Sequence, residues 1–135
     1  MKYQKINKYK YRLHSAEVCQ TPILNSPFEH KFFRLDSNGL LTIYEGYMWD
    51  GVSGPTWDSR NTMIAGCIHD ALYQAIRLEV LPLDYKSIID DLFHVLLLKE
   101  NMSELRAGYY YLAVWVFGHY SCVPGSLNTP EVLIA

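Results

Sequence analysis

The chain has 135 residues, 50% of them apolar, 19% charged and 14% aromatic, with a formal net charge of −2. That is enough to build one domain around its own core, which excludes a disordered chain, and the acidic balance gives no electrostatic drive toward nucleic acid, so none is expected as a partner. Cys19, Cys67 and Cys122 have no CxxC or CxxH spacing, which argues against a disulfide scaffold or structural zinc and fits a reducing compartment.

Lys2, Lys5, Lys8, Lys10 and Arg12 alternate with Tyr3, Tyr9 and Tyr11, as in a solvated edge strand guarded by lysines. Residues 9–17, 31–35 and 40–47 have the two-residue periodicity of strands, and Pro22 and Pro27 mark a loop after the first. Asp36-Ser37-Asn38-Gly39 is a hairpin turn, because Asn-Gly tolerates the positive φ of a tight reversal.

From about residue 58 the pattern becomes helical. Residues 61–78 place Ile64, Ile68, Leu72 and Ile76 on one stripe, with Asn61 as N-cap. Asp84 caps a second helix that runs to about Glu100, with Ile88, Ile89, Leu92, Phe93 and Leu96 on its apolar face. Ser103 caps a third, 104–120, apolar almost all round and therefore expected to be buried. Its Tyr109-Tyr110-Tyr111, Trp115 and Phe117 read as core packing, or as an interface for a partner or a lipid surface. Pro124-Gly125 closes it, and a tail follows.

The expected fold is α+β, with N-terminal antiparallel strands and a hairpin packed on three C-terminal helices. It forms a single domain over 1–135, β-rich over 1–58 and helical over 59–120, with a tail over 121–135. The start carries no signal-peptide-like apolar segment, and the most apolar stretch, 107–117, is shorter than the roughly 20 residues of a transmembrane span. A soluble protein of the cytosol is expected, with no transmembrane segment.

The residues that carry chemistry flank the change of pattern. A Gly-rich acidic loop, Trp49-Asp50-Gly51-Val52-Ser53-Gly54-Pro55-Thr56, precedes a helix bearing His69-Asp70 and Tyr73. A connection of about six residues makes the first two helices antiparallel, so that Asp90 can reach back to His69. A carboxylate on one imidazole nitrogen fixes the tautomer and leaves the other nitrogen as a base. Asp70 points about 100° away around the helix, toward the loop, whose Gly51 and Gly54 carbonyls would join it in an all-oxygen site suited to Ca2+. Trp49, Asp50, Ser53 and Tyr73 complete the candidate pocket.

Cys67 and His69-Asp70-Ala71-Leu72-Tyr73 resemble the His-Asp helix of secretory phospholipase A(2) enzymes. The resemblance implies His69 as the base that activates water, Asp70 and residues 51–54 as calcium ligands, and Asp90 as the group that orients His69. A second resemblance covers nearly the whole chain. Gly46-Tyr47-Met48-Trp49-Asp50-Gly51-Val52-Ser53-Gly54-Pro55-Thr56, His69-Asp70-Ala71-Leu72-Tyr73-Gln74, Asp90-Asp91-Leu92-Phe93 and the aromatic helix 109–118 look like a bacteriophage and prophage family known as a domain of unknown function. It implies phage origin and a place in the host cytoplasm or the virion, and it brings no established activity.

Structural readings stand beside these. His69 bonded to Asp90 can simply lock two helices, and Trp49-Asp50-Gly51 can be a tight turn held by Asp50. His94, four residues after Asp90, reads as a lone exposed histidine, and a phosphohydrolase of the His-Asp type lacks its second upstream histidine, since His30 falls in a loop. Two kinds of function follow from the sequence. One is a metal-assisted esterase- or phospholipase-like hydrolase acting on a lipid or small ligand. The other is a non-catalytic phage protein: a virion or assembly component, or a binder of a host factor, metabolite or signalling nucleotide.

Overall fold

The computed structural model describes residues 1–7, 10–49 and 62–122, and its architecture is α+β: strands first, then helices. The chain divides into two compact units, one built on Met1–Asp50 and the other on Gly51–Thr129.

The first unit holds two antiparallel sheets. β1 (Tyr3–Asn7), β2 (Lys10–Leu13) and β7 (Met48–Trp49) form one, in the order β1-β2-β7. β3 (Glu17–Gln20), β4 (Phe28–Glu29), β5 (Phe33–Leu35) and β6 (Leu40–Ile43) form the other, in the order β3-β6-β5-β4. Of the Lys- and Tyr-rich start, β1 is the expected exposed edge strand, whereas Lys10, Tyr11 and Arg12 fall in β2, the central strand of the sheet, where Tyr11 is buried.

Both long strands expected from periodicity turn out to be divided between the sheets. Residues 9–17 break after Leu13, at Ser15, and 40–47 break after Ile43. At the second break Gly46 takes φ +94°, and its N–H donates to the Leu13 carbonyl, which swings the chain from β6 into β7. Period-two alternation continues through such a corner and cannot reveal it. The expected proline loop also contains the two-residue β4.

The β5–β6 hairpin forms where the Asn-Gly signal places it. Asp36 Oδ1 accepts from the backbone N–H groups of Asn38 and Leu40, while Gly39 adopts φ +87°. The Gly39 carbonyl accepts from the Thr21 backbone N–H and hydroxyl, both at 2.8 Å, so the turn is pinned to the strand-like segment after β3. Leu13, Ile23, Phe33, Leu41, Ile43, Tyr47 and Trp49 are buried.

The second unit contains α1 (Met63–Arg77), α2 (Lys86–Lys99), α3 (Glu104–Phe117) and the one-turn α4 (His119–Cys122). Asn61 lies outside the described residues, and Thr62 takes the position before the first helical residue. Asp84 falls inside a 3-10 turn, Leu83–Tyr85, that leads into α2, so Tyr85 rather than Asp84 stands at the α2 N-terminus. Ser103 caps α3 as expected, accepting from the Arg106 N–H.

The expected burial of α1 and α3 is reversed. In α1 only Ile64 and Asp70 are partly exposed, so the stripe of Ile68, Leu72 and Ile76 is one side of a helix buried nearly all round. α3, which is more apolar, buries only Ala107, Tyr110, Ala113 and Val114 against a cluster with Ala65, Phe93, Leu97 and Met102. Leu105, Tyr109, Leu112, Trp115, Val116 and Phe117 stay exposed. Among the described residues, no helix is long and apolar enough to cross a membrane.

A β-carbon at residue 39 would collide with the Thr21 carbonyl in a backbone region L-residues avoid. Gly39→Ala is therefore expected to cost about 1–3 kcal/mol, read from urea denaturation; a midpoint equal to wild type would contradict this account of the turn.

Candidate functional site

The site is a hydrogen-bonded network at the α1–α2 contact, centred on Asp90. Tyr73 and His69 on α1 both reach Asp90 on α2, His69 also meets Phe93, and Ala65, further back on α1, shares a buried cluster with Phe93 and Leu97. Moving back along α1 thus means moving forward along α2, which is the antiparallel register expected from the short connection.

Asp90 is fully buried, and among the described residues three side chains engage its oxygens. His69 Nε2 lies 2.9 Å from Asp90 Oδ1, the Tyr73 hydroxyl donates to the same oxygen at 2.5 Å, and Lys86 Nζ donates to Oδ2 at 2.7 Å. Lys86 stands one helical turn before Asp90, an i,i+4 pair. Its ammonium also lies 3.4 Å from the Val114 and Trp115 carbonyls in the last turn of α3, where the helix dipole favours a cation. Three helices therefore meet at one carboxylate.

Protonation states follow from this geometry. Burial alone raises the Asp90 carboxyl, but hydrogen bonds from His69, Lys86 and Tyr73 outweigh it and hold the carboxyl below its ordinary value. Burial lowers His69, the Asp90 contact opposing it only in part, so the imidazole is neutral. An ionised carboxylate only accepts, so Nε2 carries the His69 proton and Nδ1 is the unprotonated nitrogen. Burial first, then the Asp90 charge and hydrogen bond, push the Tyr73 phenol far up, keeping it a donor. Burial also raises the Cys122 thiol, which leaves it a poor nucleophile.

Packing fixes the rings. The His69 ring centroid is 3.9 Å from that of Tyr73 and 4.7 Å from that of Phe93. Behind Tyr73, Gly118 leaves no room for a β-carbon, which would strike the Tyr73 hydroxyl and the Val114 carbonyl.

The structure thus brings together His69, Asp90 and Tyr73, three of the residues singled out from sequence. Lys86 was missed; its i,i+4 spacing from Asp90 was the available signal. Asp70, adjacent to His69, is half-buried. Trp49 is buried in β7 against Tyr11 and Tyr3, and its indole N–H has no acceptor among the described residues. Asp50, Gly51, Ser53 and Gly54 lie outside the described residues. His94 is half-buried rather than exposed, with its ring 5.2 Å from that of Tyr111. Among the described residues no three His, Cys, Asp or Glu side chains gather as a metal centre, so a cation at Asp70 would depend on the carbonyls of residues 51–54. No family model, curated protein or solved structure matches the chain.

Two outcomes test the network. Asp90→Ala strands the Lys86 ammonium and the His69 N–H, and is expected to cost about 3–5 kcal/mol in urea denaturation, with Asp90→Ala/Lys86→Met recovering part of the loss.

The second outcome concerns pH. Because His69 is lowered from 6.5, its neutral form contributes stability above that pH, and the contribution drains as pH falls through the folded value. The lowered Asp90 adds a second loss only below 3.8. The melting temperature should fall as pH drops below 6.5, and His69→Asn should flatten that upper limb while retaining the lower one. An unchanged upper limb in the variant would assign it to another group.

Proposed function

We propose that this protein is a phage-encoded hydrolase of ester substrates in which His69 is the general base and Asp90 orients it. The observation that carries the reading is the 2.9 Å contact of His69 Nε2 with a buried, ionised Asp90, because it leaves Nδ1 as the proton acceptor of a neutral imidazole. Nδ1 takes a proton from water as the water oxygen bonds to the ester carbonyl carbon. The carbon–alkoxide bond then breaks, and the leaving alkoxide takes the proton back from His69.

Asp70 and the carbonyls of residues 51–54 are the groups that would hold a Ca2+ ion, which would polarise the carbonyl. The phage assignment rests on the sequence resemblance and implies action in the host cytoplasm or the virion. A second, non-catalytic reading draws on two observations. His69 is only 4% exposed, and Lys86 already neutralises Asp90. In that reading the network locks three helices in a virion component or in a binder of a host factor.

Turnover of p-nitrophenyl esters and of phospholipid vesicles decides between them. In the hydrolase, His69→Asn loses about 10²–10⁴-fold in rate while remaining folded. Because His69 is lowered, wild-type activity persists below pH 6.5. Calcium raises the wild-type melting temperature, and Asp70→Asn removes the shift. No turnover and no calcium shift, with His69→Asn merely destabilised, would favour the non-catalytic reading.

A further inference from the structure

α3 has two apolar faces. One is the core face already described. The other carries Leu105, Tyr109, Leu112 and Val116, with exposures of 88%, 45%, 55% and 48%, and Trp115 at 56% along one flank. The spacing of the four is 4, 3, 4, which is the alternating seam of a heptad repeat, and no charged residue falls on it. A seam of this kind matches a second helix rather than open water.

The size of the patch and its one small residue point the same way. With a large apolar side chain presenting on the order of 200 Å², these five expose roughly 600 Å² in one stripe. That reaches the upper end of the largest patch on a typical monomer, about 300–600 Å². It also approaches the ~800 Å² that each partner gives to a standard interface. Gly108 lies on the same flank as Trp115, in mid-helix, where glycine is unfavourable. A β-carbon there would meet nothing within 4 Å, so nothing described inside the chain calls for glycine. Close approach of another helix backbone does.

We propose that this face of α3 is the interface of a homodimer in which two copies pack their α3 helices together about a two-fold axis. A two-fold contact needs only one self-complementary patch, which the seam supplies. A lipid surface fits less well. Membrane-surface helices set lysines and arginines beside the apolar face. Here Arg106 lies over the Tyr110 ring on the core side, Lys86 is bound to Asp90, and the chain is acidic overall.

Sedimentation equilibrium and light scattering on the full chain test the proposal. Wild type is expected at twice the 15.6 kDa of one chain, dissociating on dilution. Leu112→Glu, at an exposed position, and Gly108→Glu, in open space, are both expected to be monomeric with an unchanged far-UV circular dichroism spectrum. A wild type that is monomeric at every concentration overturns the dimer. If that monomer floats with phosphatidylglycerol vesicles and Leu112→Glu does not, the face belongs to a membrane. If it dimerises only when residues 123–135 are deleted, the tail is its occupant. A dimer that survives both substitutions also overturns the proposal, placing the contact elsewhere.

Discussion

The arrangement of the helices depends on one buried carboxylate. Taking Asp90 out of water costs several kcal/mol unless its oxygens are fully engaged, and each partner that engages them comes from a defined place. His69 and Tyr73 belong to α1, Lys86 to the first turn of α2, and Lys86 is itself held at the C-terminal carbonyls of α3. Shifting any of the three helices by a residue would leave a charge or a donor stranded. A greasy α1–α2 contact could slide; this one has a register.

The same network sets the chemistry of His69. A lone carboxylate beside an imidazole favours the imidazolium. Here burial works against the charged ring, and the Lys86 ammonium, already on Asp90, opposes a second positive charge nearby. The outcome is a neutral imidazole with a fixed tautomer and rings of Tyr73 and Phe93 against it. A general base needs that state, and a purely structural histidine tolerates it. The resting geometry is shared by both readings, so the distinction lies in what reaches Nδ1.

How much was legible before the structure differed from element to element. The Asp36–Gly39 turn was readable because its requirement is local: a positive φ and a side chain that accepts from its own backbone. The Ser103 cap was readable for the same reason. The His69–Asp90 contact was legible at one remove, since a short connection forces antiparallel helices and these two positions then face each other. Lys86 escaped because an i,i+4 pair on a helix is ordinarily a solvated one. Gly118 carried no signal at all, since its need arises from the Tyr73 side chain, distant in sequence.

The sequence by itself determined the strands-then-helices order, the three main helices, the hairpin turn and the pairing of His69 with Asp90, because each follows from local backbone chemistry or from chain length. Only the tertiary structure decided where strands change sheets and which helix is enclosed. Periodicity says that a residue prefers an apolar neighbour, not whether one will be there. So α1, with histidine, glutamine and arginine along it, is buried, whereas the more apolar α3 leaves a whole face exposed on the single chain. Burial belongs to the assembly of elements, and no single helix carries it in its own pattern.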